Sequence, residues 1–501
     1  MAKWRYPMLG LLAALMTPLV MAAGLPAYTG KFNEAYRPAY HFTPPNGWMN
    51  DPNGLIFHKG RYHLFYQYHP DATVWGPMHW GHAESTDLTH WTHQPIALYP
   101  DALGWIFSGS AVTDSTNSAG FGAEALVAVF TYHNDAIWKQ GRKNTESQGL
   151  AYSLDAGRSW TKYAGNPVLD NSGEQDFRDP KVFRHGDGWR MVLAAGDRIK
   201  IFSSADLKQW RFESDFKEDE PGADLGVWEC PDLLRLRAED GRERWLMIVN
   251  HGDKAPNGGS GTRYFVGDFD GRQFTATQPA RWLDAGTDFY AGVSFADAPG
   301  GKPLLLAWMS NWQYAQKTPT SPWRSAMTLP RELRLVPHAG GYRVHQRIAA
   351  DFDGMDSLQY RAVKPALPFE RGGLDLGRAD IRFNAAEARD LEIELANADG
   401  EVFRMMQKDG RWWTDRSRSG QTAFSPAFAA KPQAMDMDGE PVRDVRLLVD
   451  RGSVEILLND GAYSMTNQVF PRLPYSILRI RSAAGTRLSY LRIDAVASIW
   501  K

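Results

Sequence analysis

The chain has 501 residues, of which 56 are Lys or Arg and 58 are Asp or Glu, giving a formal net charge of −2. That balance argues against nucleic acid or an anionic membrane as partner and suits a neutral substrate. The length exceeds what one hydrophobic core usually serves, so two domains, or one large β domain with an appendage, are expected.

Residues 1–23 carry Lys3 and Arg5, an uncharged apolar run over 8–21, and then Ala22 and Ala23. A basic start, a short apolar stretch and small residues predict a signal peptide; the run is short for a transmembrane span, and an uncleaved anchor is the alternative. The mature protein is expected to begin near residue 23 or 24 and to be periplasmic or extracellular, with no membrane contact. Cys230 is the one cysteine, so no intrachain disulfide can form and stability rests on packing. Clustered Cys/His spacing is absent, and neither a metal nor another cofactor is expected.

After the leader, short runs such as Gly54-Leu-Ile-Phe-His and Arg61-Tyr-His-Leu-Phe-Tyr alternate or bury β-formers between Gly, Pro, Asn and Asp turns. This pattern predicts an all-β chain. A repeat recurs: Ser85-Thr-Asp87 reaches Trp91, Ser153-Leu-Asp155 reaches Trp160, and Ser204-Ala-Asp206 reaches Trp210. Repeated four-stranded units with a Trp near one end suggest propeller blades, whose inner strands converge on a central pocket; a sandwich of irregular hairpins is the rival. Near residues 330–341 the aromatic, turn-rich pattern gives way to a more charged region, and residues 445–458 and 475–493 read as hairpins of a separate sheet pair. The boundary is placed near residues 345–360, separating a domain over 36–345 from one over 355–501. The second domain carries no comparable set of acids.

Three acids stand beside prolines: Asn50-Asp51-Pro52, Arg178-Asp179-Pro180 and Glu229-Cys230-Pro231. Proline restrains the preceding residue to an extended conformation and removes an N–H, which can end a strand edge and aim a side chain inward. Any one Asp-Pro pair is an ordinary turn signal. As a set, two of them beside Trp48 and Trp228, they suggest convergence on a propeller axis. Hydrolysis of a glycoside with retention needs a carboxylate and a carboxylic acid about 5–5.5 Å apart. Such closeness leaves the first ionised to attack and the second protonated to donate.

Trp48-Met-Asn-Asp51-Pro-Asn-Gly54, Phe177-Arg-Asp179-Pro180 and Trp228-Glu229-Cys-Pro231-Asp232 resemble the signature motifs of glycoside hydrolase family 32, the β-fructosidases. The resemblance implies a five-bladed β-propeller followed by a β-sandwich, with Asp51 as nucleophile, Asp179 as transition-state stabiliser and Glu229 as general acid/base. It extends over about residues 41–335, including Phe65-Tyr-Gln67-Tyr-His-Pro, Trp75-Gly-Pro-Met-His-Trp80 and Phe107-Ser108-Gly-Ser110. It further implies that Trp48, Met49 and Asn50 shape the pocket floor, that Gln67 and Ser108 bind hydroxyls, and that Trp75, Phe107 and Trp312 form walls. Arg178 would pair with substrate or a carboxylate. Cys230 would tune Glu229, or be inert core.

Within the family, residues 257–271 and 308–327 resemble levanases and exo-inulinases more than sucrose-specialised invertases. The implied activity is exo-acting release of fructose from levan, inulin or sucrose. An invertase, a noncatalytic fructan-binding protein and a five-bladed glycosidase of other sugar specificity, such as an arabinanase, are the rivals. One departure is the polar stretch over residues 134–147, longer than the usual connection, which bears on substrate length if it sits at the pocket rim.

Overall fold

The computed structural model describes residues 30–218, 225–352, 354–483 and 485–500; the expected signal peptide lies outside them. Five antiparallel sheets of four or five strands follow one another along the chain, each running from the axis of a propeller outward. Their innermost strands are Gly47–His58, Trp105–Asp114, Phe177–His185, Trp228–Arg237 and Tyr290–Ser294, in blades I to V. The ring closes where Trp323–Arg324 pairs in parallel with Gly47 and Trp48, and where the Ala296 amide donates to Leu55 O at 2.8 Å. No helix among the described residues is long and apolar enough to cross a membrane.

The Ser–Asp–Trp repeat forms the turn between the third and fourth strands of blades I, II and III. In blade I, Asp87 Oδ1 accepts from the amides of Thr89 and His90 at 2.9 and 2.7 Å, and the Trp91 indole closes the turn on Leu88 O at 3.2 Å. Asp155 and Asp206 accept from the turn amides of Ser159 and Gln209 in the same way, with Trp160 and Trp210 closing onto Gly157 and Leu207. A carboxylate satisfying several turn amides substitutes for ladder bonds where the chain reverses. Blade IV repeats the device at Asp270 without the tryptophan.

All five inner strands share one irregularity. Each shifts register against its neighbour near its N-terminal end, at Met49/Pro52, opposite Val192/Ala194, and at Ile106/Gly109, Glu229/Asp232 and Tyr290/Val293. Bulges at one level bend the strands and re-aim their side chains at the axis. Proline occupies three of them, where no ladder donor is needed. The conformation before these prolines departs from the expected extended one at two positions: Asp179 and Cys230 have φ of 67° and 41°. The bulge overrides the local preference, and such backbone is costly for residues bearing a side chain.

The propeller's last strand, Gly341–Ile348, is followed by two six-stranded sheets beginning with Asp356–Val363. Their inner faces enclose one core that includes Ile381, Phe383, Ile393, Trp412 and Ile456. The sandwich docks on blades IV and V through strands Ser453–Leu458 and Tyr463–Gln468. The Ala285 amide donates to Ser464 O at 2.9 Å, and the approach is so close that a Cβ on Gly286 would lie 2.1 Å from Thr466 O.

Candidate active site

A cavity of about 510 Å³ opens at the bulged end of the inner strands. Asp51 from blade I, Asp179 from blade III and Glu229 from blade IV all line it, with Asn50, Gln67, Trp75, Phe107, Ser108, Arg178 and Trp312. Trp48 and Met49, expected at the floor, do not. Met49 points into the core of blade I with Leu64 and Tyr66, because successive strand residues face opposite ways. Trp48 lies behind the cavity, stacked on Trp312 at 5.9 Å, and its indole donates to Asn50 Oδ1 at 2.7 Å. Its influence on the floor is therefore exerted through Asn50 and Trp312.

Ser108 donates to Asp51 Oδ2 at 2.8 Å, whereas the buried Oδ1 of Asp51 makes no hydrogen bond. Gln67 spends its amide nitrogen on Ile106 O at 3.1 Å. Thus the two side chains expected to bind sugar hydroxyls also build the site, one anchoring a carboxylate and the other tying blade I to blade II.

The guanidinium of Arg178 holds Glu229 through Nε and Nη2 to Oε1, at 3.2 and 2.9 Å. Its Nη1 reaches Asp176 at 2.7 Å and Glu146 at 3.1 Å. The Tyr290 hydroxyl donates to the other oxygen of Glu229. Gly252 makes room for that oxygen, since a Cβ there would stand 2.7 Å from it.

Cys230 contacts the two aspartates rather than the Glu229 carboxylate. Its amide donates to Asp179 Oδ2 at 2.9 Å, and its thiol lies 3.5 Å from Asp51 Oδ2 and 3.6 Å from Asp179 Oδ2. Burial, reinforced by the negative charges of Asp179, Asp51 and Glu229, pushes the thiol well above its usual range. It remains a proton-bearing donor between two acids.

Burial raises the Asp51 carboxyl, opposed by the Asn50 amide and reinforced by the Glu229 charge. Burial also lifts Asp179 to about 8, with Arg178 opposing and the charges of Glu229 and Asp51 adding to it. Both aspartates, enclosed more deeply than Glu229, are thus pushed upward chiefly by burial. Glu146 behaves oppositely: burial would raise it, but the Arg178 charge and His133 outweigh burial and hold it below its ordinary value.

Glu146, His133 and Tyr290 were not singled out in the sequence. Glu146 closes the polar stretch noted above, the one hint available; nothing around Tyr290 marks it as a partner of Glu229. One group among the described residues has metal-ligand character, His63, His82 and Glu84. It lies in blade I outside the cavity lining. His63 Nδ1 and His82 Nε2 are 3.1 Å apart, and burial lowers both imidazoles, His63 to about 4. A hydrogen bond between two neutral rings accounts for that contact.

A propeller whose axial cavity gathers carboxylates from separate blades between aromatic walls defines a carboxylate-dependent glycosidase. Residues 41–347 match the glycosyl hydrolases family 32 N-terminal domain and residues 363–496 the family's C-terminal domain. The chain belongs to glycosyl hydrolase family 32. It is 43% identical over 495 residues to a levanase of Bacillus subtilis, covering 94% of this chain and 72% of that one. It is 35% identical over 523 residues to an extracellular exo-inulinase of Aspergillus niger, covering 95% and 97%. The crystal structure of exo-inulinase from Aspergillus awamori superposes with a TM-score of 0.83 at 33% identity, covering 94% of this chain and 100% of that one.

Proposed function

We propose that the protein is a retaining, exo-acting hydrolase that releases fructose from β-fructans, levan or inulin, and from sucrose, without a cofactor. The observation that carries this reading is that Asp51, Asp179 and Glu229, from three separate blades, line one cavity together with Trp75, Phe107 and Trp312. Ser108 holds Asp51 Oδ2 and so fixes the carboxylate for attack on an anomeric carbon. Attack by Asp51 expels the leaving sugar as Glu229 protonates its oxygen; Glu229 then takes a proton from water, which displaces the fructosyl group from Asp51. Arg178 and Tyr290 orient Glu229 through its two oxygens. Asp179 hydrogen-bonds sugar hydroxyls as positive charge develops on the ring. The similarity to a levanase and an extracellular exo-inulinase supports the substrate class and export.

Incubation with levan, inulin and sucrose, with products resolved in the first minutes, tests the reading. Free fructose is expected from the earliest time points. Early dominance of intermediate oligosaccharides would replace exo by endo cleavage, and hydrolysis confined to sucrose would turn the assignment to an invertase.

A further inference from the structure

Residues 134–145 are the polar excursion between strands Ala125–His133 and Glu146–Ser153 of blade II. The excursion is a built feature. Its ends are clipped together by the Asn134 amide donating to Thr145 O at 2.7 Å, and Asn134 Oδ1 caps the Ile137 amide at 3.1 Å. Lys139 pairs with Asp135 at 2.7 Å, fixing the single turn Asp135–Trp138. That turn presents Trp138, 55% exposed, to the cavity. A single exposed aromatic is ordinary on a protein surface; what sets this one apart is that it lines the cavity holding Asp51 and Glu229.

The indole continues an aromatic wall. Phe107, beside the serine that holds Asp51, stacks on His133 at 4.3 Å and 6°, and the His133 ring lies 6.3 Å from Trp138. Arg142 and Lys143, both exposed, line the same mouth. An aromatic face flanked by hydrogen-bond donors fits the apolar C–H face and peripheral hydroxyls of a sugar ring.

We propose that residues 134–145 form a leaving-side subsite for the fructosyl units beyond the scissile bond, with Trp138 as stacking platform and Arg142 and Lys143 as hydroxyl donors. The proposal rests on the fructan-hydrolase reading. It makes chain length, rather than the terminal sugar, the quantity this segment senses.

The test is the kinetics of Trp138→Ala and Trp138→Phe on inulin and levan, with inhibition by free fructose as the readout of the terminal pocket alone. Trp138→Ala is expected to raise the fructan KM on the order of 10-fold, with kcat and the fructose inhibition constant near wild type, and Trp138→Phe to restore most of the loss. The side chain is surface-exposed, so an unchanged melting temperature is expected and is measured alongside. An unchanged fructan KM, or an equal rise in the fructose inhibition constant, overturns the subsite. If the wild type itself releases no fructose from any of these substrates, the fructan-hydrolase reading falls and the subsite with it.

Discussion

In the cavity, Asp179, Glu229, Glu146 and Asp176 share the guanidinium of Arg178, and Asp51 lines the same space. Between the propeller and the sandwich, by contrast, Asp284, Asp288, Asp450 and Glu455 meet Arg331, Arg416 and His41. Both regions are buried, yet Asp179 in the one and Glu455 in the other titrate in opposite directions. Asp179 is lifted to about 8 by burial and its neighbours' charges. Burial would also raise Glu455, but Arg331 and His41 outweigh it and hold the acid at about 2. Desolvation is common to both, so the supply of cations decides the sign. A like-charged cluster is retained where reactivity requires it, and pairing is completed where the need is only to join two domains.

The largest expected effects break the cavity half of the comparison. Asp51→Ala should lower kcat by about 10⁴-fold or more with the fold intact. Glu229→Ala should cripple hydrolysis of fructans while sparing more activity on an activated fructoside whose leaving group needs no proton, with azide restoring turnover by attacking the fructosyl intermediate. Asp179→Ala should depress kcat on both substrates alike. Equal loss on both substrates for Glu229→Ala, without azide rescue, would reassign the proton donor.

Next comes the interface. Arg331 is fully buried, donating to Asp284 Oδ2 at 3.1 Å, Gln346 Oε1 at 2.7 Å and Thr466 Oγ1 at 2.8 Å, and pairing with Glu455. Arg331→Met leaves two buried acids short of a cation and should cost about 3–5 kcal/mol in urea unfolding, with activity per folded molecule little changed. A midpoint equal to wild type would mean the network is solvated in solution and the contrast drawn here is false.

A smaller, pH-dependent effect sharpens the same side. Burial would lower His41, but hydrogen bonds to Asp450 and Glu455, at 2.8 and 2.9 Å, outweigh it and raise the imidazole to about 9. A histidine raised on folding stabilises fully below its unfolded value and loses that contribution as pH climbs through the folded one. The stability advantage of wild type over His41→Gln should therefore be greatest near pH 6 and smaller by about 2–3 kcal/mol near pH 9.5. An advantage independent of pH would show that His41 acts by packing alone.

The two regions also differ in how far they can be read from the chain. The all-β class is visible in the short runs of β-formers between turns, the propeller in the Ser–Asp–Trp repeat, and the Pro-bounded acids are conspicuous as a set. Their convergence on a propeller axis is suggested by the sequence, but not the means. That is a bulge at one level in all five inner strands, and register shifts leave no periodic trace; the resemblance that sets Trp48 and Met49 at the floor carries no information on which way each side chain turns. The interface was invisible for a simpler reason. His41 meets Asp450 across 409 positions, and neither residue lies in a pattern that marks it as ionic.

A last prediction, read as a melting temperature, tests whether the cavity stores unfavourable electrostatics. Asp179 is raised on folding, so between about pH 4 and pH 8 the folded chain keeps a proton that the unfolded chain has released. The unfolded state then binds fewer protons, and the contribution of Asp179 to stability must fall as pH rises through that window and level off above it. Asp179→Asn removes the titrating group while its side-chain oxygen can still accept from the Cys230 amide, the contact present at 2.9 Å. The variant should gain little at pH 5, and at pH 8.5 should melt about 2 °C or more above wild type, although its kcat is reduced. Scanning both proteins across pH separates this from a packing effect, which would shift the two curves by a constant amount. If the Asn variant's advantage shrank with rising pH, Asp179 would have to be an ordinary ionised carboxylate, adequately paired by Arg178, and the cavity would differ from the interface in geometry but not in charge balance.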